Sequence, residues 1–446
     1  MAIRHRSWRR RSRVASVALV LVVILTAYGP SKPVAASTGP ARSTTFASSS
    51  TAGARNGTKT TGTVKIMVIG TWGVPILDLS DSPTIVRNGA DVQNRAGGIG
   101  PDHDAVQIIG CNDSFTADGA EACAREAVAD HVIAVMGFTN FVQDVLPIYE
   151  AAKTPYLGGL YYTSENKYTN TFLTTPGAFI YWADFYLAAK ECGKTAVMVI
   201  DLGQGVTTAG FKKWVDSAWK AAGKTSGPSA YVAVPYTATD ITSYLTRAMR
   251  SGADCLAVEL GASQLAALAA AMQSEGLTGK IRVYPSSPGI LTSTFIEQNP
   301  TTTNGWRTYG IYELPSTDPG WRNYTQVETS ASDLGKYTAN LNNSVEQQLW
   351  VAWRIVVGAA SKTTGPLTAS ALLSALTTDC DVSTDGLLPR MDFCKSTAPG
   401  LNRMYDYWQA PEEVENGKLV PYDGGTYQNM ISIWHAGGAV PFPPTI

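Results

Sequence analysis

The chain has 446 residues, of which 44% are hydrophobic and 16% charged, and its formal net charge is −1. This composition is typical of folded protein and excludes disordered, collagen-like and small disulfide-rich chains. The length is enough for two or three domains, so a single small domain is also excluded.

Charge is distributed unevenly along the chain. Residues 1–36 hold seven basic side chains and no acidic one, so the remaining residues hold 28 basic and 36 acidic side chains and a net charge of −8. A surface of that sign repels nucleic-acid phosphates and anionic lipids. We therefore expect no nucleic-acid partner.

The first 36 residues have the pattern of a signal peptide. Basic residues precede an apolar run, Val14–Ala27, and the small residues Val34-Ala35-Ala36 follow it. An uncleaved membrane anchor is the alternative, although the run is shorter than the roughly 20 apolar residues that span a bilayer. No cysteine precedes Cys111, so there is no lipobox cysteine. The protein is predicted to be exported and extracytoplasmic, at the cell surface or secreted.

Residues 37–63 are rich in Ser, Thr, Gly and Ala and predict a flexible spacer, because they hold almost no bulky apolar side chains to bury. From Val64 onward, short β-rich runs alternate with helical patterns, as in parallel α/β sheets. The first series predicts strands at 64–70, 106–111, 132–137, 155–158 and 172–175, and helices at 83–95, 117–130 and 142–152. We expect Asp118 to cap the second helix and Gly97-Gly98 to end the first.

A second series of the same kind follows and predicts a second doubly wound sheet. Its strands are predicted at 195–201, 231–235, 255–260 and 281–285, and its helices at 178–190, 210–222, 241–251 and 263–275. The remaining elements, strands at 308–313 and 404–408 and helices at 344–360 and 368–376, start no third series. They are interpreted as returns between the two lobes.

All six cysteines lie beyond the predicted signal peptide, and an exported chain with an even number of cysteines usually pairs them. Cys111 and Cys123 lie on a strand and the helix after it, and Cys192 and Cys255 reach the same edge of the second sheet if its strand order is 2-1-3-4. The pairs predicted are Cys111–Cys123, Cys192–Cys255 and Cys380–Cys394. A metal or redox role is the alternative.

The sequence offers no recognisable catalytic set. It has no GxSxG or HExxH motif, and Gly193-Lys194-Thr195 precedes a strand, whereas a phosphate-binding loop follows one. Four carboxylates could form an acid/base pair, namely Asp113, Asp201, Glu259 and Glu313, but helix caps and hinge partners are the more common role of acids at strand ends. The chain is predicted not to be an enzyme and to need no cofactor or metal.

Aromatic residues in loops after strands are more informative. Trp72, Tyr161 and Tyr162 stand where α/β sheets place ligands, at the carboxyl ends of strands. Gly203-Gln204-Gly205 also follows a strand, and its backbone amides could receive a carboxylate or hydroxyl. Packing of the aromatic rings and a plain tight turn are the alternatives.

Several segments together resemble a known family. Asn94–Ile99, Val132–Gly137, Ala152–Tyr156, the helix start at Thr239–Ile241 and Ser251–Asp254 are similar in order and spacing to the leucine/isoleucine/valine-binding group of type I periplasmic binding proteins. These proteins are the solute-binding components of ABC importers. The likeness covers about residues 64–446.

The resemblance implies an α/β fold of two doubly wound, Rossmann-like lobes joined by three hinge crossings, the type I periplasmic binding protein fold. The crossings are expected near Thr174-Thr175, Tyr312-Glu313 and Leu401–Met404. The first lobe then comprises 64–174 and, after its return, 313–402; the second lobe comprises 175–312 and 403–446.

The resemblance also implies ligand contacts in the loops between the lobes. The expected residues are Trp72, Thr139, Asn140, Phe141, Tyr161, Tyr162, Gln204, Glu259, Ser286 and Ser287. Three departures point away from a branched-chain amino acid. Gly158–Tyr162 replaces the small segment that clamps the amino and carboxylate groups, Gly203-Gln204-Gly205 lacks the usual aromatic residue, and Ser286-Ser287 replaces an acidic residue. A neutral or polar ligand, including aromatic and amide-type metabolites, is expected instead.

The function expected is that of a monomeric extracytoplasmic solute-binding protein of the amino acid transport class. It would capture a small molecule between its lobes and deliver it to an ABC permease. A ligand-sensing component of a membrane signalling protein is the alternative.

Overall fold

A computed structural model describes residues 60–74, 78–159, 163–201, 209–286, 291–335, 337, 339–395, 397 and 400–440. The predicted signal peptide and all but the end of the predicted spacer lie outside these residues. Within the described ranges, none of the helices combines the length and the hydropathy needed to cross a bilayer.

The first lobe is built on a parallel sheet whose buried, β-branched strands are covered by helices. The strands are β1 (Thr63–Gly70), β2 (Ala105–Asn112), β3 (Ala134–Gly137), β4 (Tyr156–Leu157) and β5 (Thr171–Phe172), in the order β2-β1-β3-β4-β5. The helices after β1, β2 and β3 are α1 (Ser82–Arg95), α2 (Ala117–Ala129) and α3 (Val142–Ala151). Each lies within a few residues of its predicted position.

The second lobe repeats this construction. Its elements in chain order are α4 (Phe179–Glu191), β6 (Thr195–Asp201), α5 (Ala209–Ala221), β7 (Ala230–Pro235), α6 (Thr242–Met249), β8 (Cys255–Glu259), α7 (Ala262–Ser274) and β9 (Arg282–Pro285). The parallel strands are ordered β7-β6-β8-β9, which is the 2-1-3-4 order expected. The two-lobed α/β fold is confirmed.

The last third of the chain returns to both lobes. Its elements are α8 (Ser293–Gln298), α9 (Pro300–Thr303), β10 (Arg307–Gly310), α10 (Arg322–Asp333), α11 (Ser344–Ala360), α12 (Ala369–Thr377), β11 (Trp408–Glu415), β12 (Lys418–Pro421), β13 (Gln428–Asn429) and α13 (Met430–Ala436). Strands β10, β11 and β12 form an antiparallel sheet, and β13 pairs with β11.

Two expectations about local structure are wrong. The strand predicted at 404–408 begins only at Trp408, because Met404 makes an isolated bridge to Leu173 and the residues between join no ladder. Asp118 does not cap α2; the cap is Thr116, whose hydroxyl accepts a hydrogen bond from the Gly119 N–H. The prediction for α1 is closer, since Gly97 and Gly98 follow its last turn with positive φ angles of 114° and 82°.

Three stretches proposed as crossings contact one another. Leu173 bridges to Met404, and the Tyr312 hydroxyl donates a 2.9 Å hydrogen bond to the Thr174 carbonyl. Asp406, fully buried beside them, accepts a hydrogen bond from the Trp408 N–H at 3.0 Å. The three stretches proposed as crossings are therefore held together by a backbone bridge and a buried hydrogen bond.

The six cysteines form three disulfides, in the pairing expected from the sequence. The bonded pairs are Cys111–Cys123, Cys192–Cys255 and Cys380–Cys394, with Cα–Cα distances of 5.7, 6.2 and 5.0 Å. Cys192 directly follows α4, and Cys255 begins β8, which lies next to β6 in the sheet. The 2-1-3-4 strand order thus brings together two cysteines that are 63 residues apart.

Helix α11 packs so closely against α1 that one position requires glycine. A Cβ on Gly89 would lie 2.6 Å from the indole nitrogen of Trp353 and 3.0 Å from the Trp350 ring. Gly358, near the end of α11, has no atom within 4 Å of such a Cβ. The contact at Gly89 fixes α11 beside the first sheet, and the start of α11 becomes part of the site described next.

Candidate ligand-binding cleft

A buried carboxylate organises the loops at the carboxyl ends of the first sheet. Asp113 follows β2 and is fully buried. One of its oxygens accepts hydrogen bonds from the Thr71 hydroxyl at 2.6 Å and the Phe115 N–H at 2.9 Å. The other accepts from the Thr139 hydroxyl at 2.6 Å. Asp113 therefore ties together the loops after β1, β2 and β3.

This arrangement changes the interpretation of Thr139. Its hydroxyl donates to Asp113 and accepts from the Phe141 N–H at 3.2 Å, so both its polar functions are already used. Phe141, partly buried, meets Phe115 edge-on with ring centroids 6.1 Å apart. Asn140, which lies between Thr139 and Phe141 in the chain, is exposed. The loops after β2 and β3 together present an aromatic pair at the sheet edge, and Thr139 holds the second of these loops in place.

Trp72 packs over the first sheet. Its backbone N–H donates to the Asn112 side chain at 2.9 Å, and its ring lies against Gly70 and Gly110, where added Cβ atoms would come within 3.2 and 2.9 Å of it. The indole N–H is buried and has no hydrogen-bond partner among the described residues. Trp72 is thus partly a packing residue and partly an unpaired donor near the strand ends.

A second set of candidate residues lies at the strand ends of the second sheet. Val258 of β8 is in register with Pro285 of β9, which brings Glu259 and Ser286 to the same edge. Ser286 donates both its N–H and its hydroxyl to the Val258 carbonyl, at 2.9 and 3.0 Å. Glu259 is only 5% exposed, and one of its carboxylate oxygens has no partner. Burial raises the pKa of Glu259 to about 8.

A narrow, partly open cavity lies between this edge and the start of α11, and the empty space of about 500 Å³ there includes the open solvent at its mouth. Its lining contains hydroxyl, amide and carboxyl groups together with a few apolar side chains. The lining residues are Ile180, Ser286, Leu291, Thr292, Thr308, Tyr309, Gly310, Ile311, Asn342, Asn343, Ser344, Gln347, Glu412 and Leu419. The described residues of this lining include no Lys or Arg, so they offer no permanent positive charge.

The start of α11 contributes unpaired amides to this region. The side-chain nitrogens of Gln347 and Gln348 are buried without a hydrogen-bond partner in the described part of the chain. Gln348 lies 2.9 Å from where a Cβ on Gly158, after β4, would be, which places the start of α11 at the carboxyl edge of the first sheet. Gln347 faces the cavity, which therefore joins elements of both lobes.

Two buried carboxyl groups lie on the side of the cavity formed by β10 and β11. Glu412 is 6% exposed and packs against Gly310, and burial raises its pKa to about 8. Asp184 on α4 is fully buried and accepts a hydrogen bond from the Tyr309 N–H at 2.7 Å. Burial raises the pKa of Asp184 well above its ordinary value, so this wall is poor in charge at neutral pH.

Only some of the residues expected to contact ligand therefore line this cavity. Ser286 lines the cavity, and Glu259 lies at the same sheet edge without lining it. The other described candidates, Trp72 and the Thr139–Phe141 loop, lie at the edge of the first sheet. Tyr161, Tyr162, Gln204 and Ser287 lie outside the described residues.

Gln347 and Glu412 are not among the residues predicted from the sequence. A signal for Gln347 was present, because Glu346-Gln347-Gln348 interrupts an otherwise apolar helix with three consecutive polar side chains that the structure buries. Glu412 has no such signal, because it lies on β11 and the strand predicted there ends at Trp408.

Comparison with known proteins agrees with this architecture. A family model described as periplasmic binding protein matches residues 82–405. No curated protein matches the chain significantly in sequence.

Solved structures show the same fold. A solute-binding protein of an ABC transporter from R. palustris, in complex with 4-hydroxybenzoate, has a TM-score of 0.64 and 18% identity over 82% of this chain and 98% of its own. A second, from Rhodopseudomonas palustris BisB5 in complex with 3,4-dihydroxybenzoic acid, has a TM-score of 0.62 and 16% identity over 82% and 95% of the two chains. The leucine-binding protein LivK from Thermotoga maritima has a TM-score of 0.60 and 14% identity over 83% and 100%.

Proposed function

This chain belongs to the periplasmic binding protein family, and we propose that it is an extracytoplasmic solute-binding protein that captures a small uncharged metabolite between its lobes and delivers it to an ABC importer. The observation that carries the proposal is the cavity that joins Ser286, at the edge of the second sheet, to Gln347 at the start of α11. A ligand bound there would contact both lobes at once. It would therefore favour the closed arrangement over the open one.

The lining supports an uncharged polar ligand. It offers hydroxyl and amide groups and a carboxyl, Glu412, whose pKa burial raises to about 8. With no Lys or Arg among the described lining residues, a ligand carboxylate would lack a counter-charge there. Two structural neighbours were solved in complex with 4-hydroxybenzoate and 3,4-dihydroxybenzoic acid, which supports a ligand with a single aromatic ring.

The residues expected from the sequence complete the proposed site. We place the aromatic body of the ligand against Trp72 and the Phe115–Phe141 pair, because these rings lie at the carboxyl edge of the first sheet. Tyr161 and Tyr162 remain candidates from the sequence. A ligand acceptor would satisfy the buried indole N–H of Trp72, which has no partner among the described residues.

A thermal-shift screen over amides, aromatic acids, amino acids, polyols and nucleosides tests the proposal. A ligand at 100 times its Kd should stabilise the protein by about 2.7 kcal/mol, which is readily measured as a rise in Tm. Unchanged chemical identity of the recovered ligand is expected, because capture requires no reaction. Failure of every class to shift Tm would count against a solute-binding role.

Uptake separates import from sensing. We expect that deleting the gene abolishes cellular uptake of the labelled ligand and that restoring it recovers uptake. Normal uptake together with a lost transcriptional response to the ligand would instead support the sensor alternative.

A further inference from the structure

We propose that Gln347 and Glu412 form a subsite that selects the primary amide group of the ligand over the corresponding carboxylate. The inference rests on the proposed function, because it assigns a ligand group to the cavity described above. It goes further by naming two residues that the sequence resemblance does not indicate.

The first observation is that the two side chains combine deep burial with unused hydrogen-bonding capacity. Gln347 is 3% exposed, and its side-chain nitrogen has no partner among the described residues. Glu412 is 6% exposed, and its carboxyl makes no hydrogen bond or ion pair within the same residues, where the nearby titratable group is the buried carboxyl of Asp184. Buried polar groups are almost always hydrogen-bonded, so partners from outside the chain are expected for both.

The second observation is that both groups line the same cavity from opposite elements. Gln347 lies in the first turn of α11, and Glu412 lies on β11 beside Gly310 of β10. A ligand group that satisfies both must accept from the Gln347 N–H and pair with a carboxyl. A primary amide does this, because its carbonyl accepts while its NH₂ donates.

The protonation of Glu412 favours an amide over a cation. Burial raises the pKa of Glu412 to about 8, so its carboxyl is largely neutral near pH 7. A neutral carboxyl donates its O–H to the amide carbonyl and accepts from the amide N–H, which gives a two-point pair. An ammonium group cannot accept from Gln347, and a carboxylate adds a charge without a counter-ion among the described lining residues.

Matched acid and amide pairs test the subsite on the full-length mature protein by isothermal titration calorimetry. The probes are benzamide and benzoate, 4-hydroxybenzamide and 4-hydroxybenzoate, and isobutyramide and isobutyrate, with benzylamine as the cation. We expect at least one amide to bind the wild type about tenfold or more tightly than its paired acid and than benzylamine.

Three variants identify the residues responsible. Gln347→Ala and Glu412→Ala should each weaken amide binding by about tenfold or more, because each leaves an amide atom unpaired. Glu412→Gln should retain amide binding to within about threefold, because two amides also form a two-point pair. Glu415→Gln, on the exposed end of the same strand, is the control and should change neither affinity nor Tm. Circular dichroism and Tm confirm that each variant is folded.

Several outcomes would overturn the subsite. It is wrong if no amide probe binds the wild type, if acids bind as tightly as their amides, or if Gln347→Ala leaves amide affinity unchanged. A ligand from the wider screen that binds the wild type and is insensitive to both alanine variants would leave the solute-binding role intact and refute the subsite. Absence of any ligand in that screen would refute the solute-binding role itself.

Discussion

Replacing Asp113 with alanine should both destabilise the first lobe and disorganise its ligand-facing edge. Asp113 accepts three hydrogen bonds, from the hydroxyls of Thr71 and Thr139 and from the Phe115 N–H, and it is fully buried. Alanine removes the acceptor and leaves three donors without it. No other described side chain links the loops after β1, β2 and β3 in this way.

The magnitude follows from these three bonds. Hydrogen bonds to a charged group each contribute roughly 1.5–3 kcal/mol to stability, so the loss should be at least about 4 kcal/mol if the bonds act independently. Asp113→Asn keeps one acceptor oxygen and should lose about half as much. Thr71→Val removes a single bond and should cost roughly 1.5–3 kcal/mol.

The assay is equilibrium urea denaturation, followed by tryptophan fluorescence and far-ultraviolet circular dichroism, with the free energy of unfolding taken from the transition of the first lobe. The order of stability expected is wild type, then Thr71→Val and Asp113→Asn, and last Asp113→Ala. Ligand affinity should fall in the same order, because the Phe115–Phe141 pair is held by this network. A loss below about 1 kcal/mol for Asp113→Ala would refute the reasoning.

Three further predictions concern packing, cross-linking and pH. Gly89→Ala should cost about 1–3 kcal/mol by overpacking α1 against α11, while Gly358→Ala, with open space at its Cβ, should be neutral or stabilising by up to about 1 kcal/mol; the Tm values of the two variants check this. Replacing Cys192 and Cys255 with alanine should lower the free energy of unfolding by about 4 kcal/mol, since their disulfide closes a loop of more than sixty residues, and urea denaturation without reductant measures it. Because burial raises the pKa of Glu259 to about 8, the folded state binds this proton more tightly than the unfolded state, so unfolding free energy should fall as pH rises from about 4.5 to about 8. Glu259→Gln should flatten that fall; an unchanged pH profile would contradict the prediction.

Local pattern in the sequence determined the alternation of strands and helices in both sheets. Buried parallel strands such as β6 and β8 consist of consecutive apolar residues, and helices such as α11 repeat apolar residues at helical spacing, so each can be recognised without its neighbours. The Cys192–Cys255 disulfide follows from the same information, because the connection rules of doubly wound sheets restrict which strands are adjacent.

Elements that depend on distant partners could not be located in this way. The strand predicted at 404–408 begins at Trp408, since the residues before it are buried by the crossing rather than by a sheet ladder. The hydrogen bond of the Thr139 hydroxyl to Asp113, 26 residues earlier in the chain, also had no local signal, and contact of Thr139 with ligand stays a prediction.

The sequence alone determined the fold class and the pairing of cysteines, because each depends on short-range periodicity and on simple rules of sheet connection. Only the tertiary structure decided which polar groups stand unpaired around the cavity. Gln347 and Glu412 are 65 residues apart and belong to different elements, and they come together only because α11, β10 and β11 border the same cavity. Burial and hydrogen-bond partnership are properties of the folded chain, so no local pattern could have identified that pair.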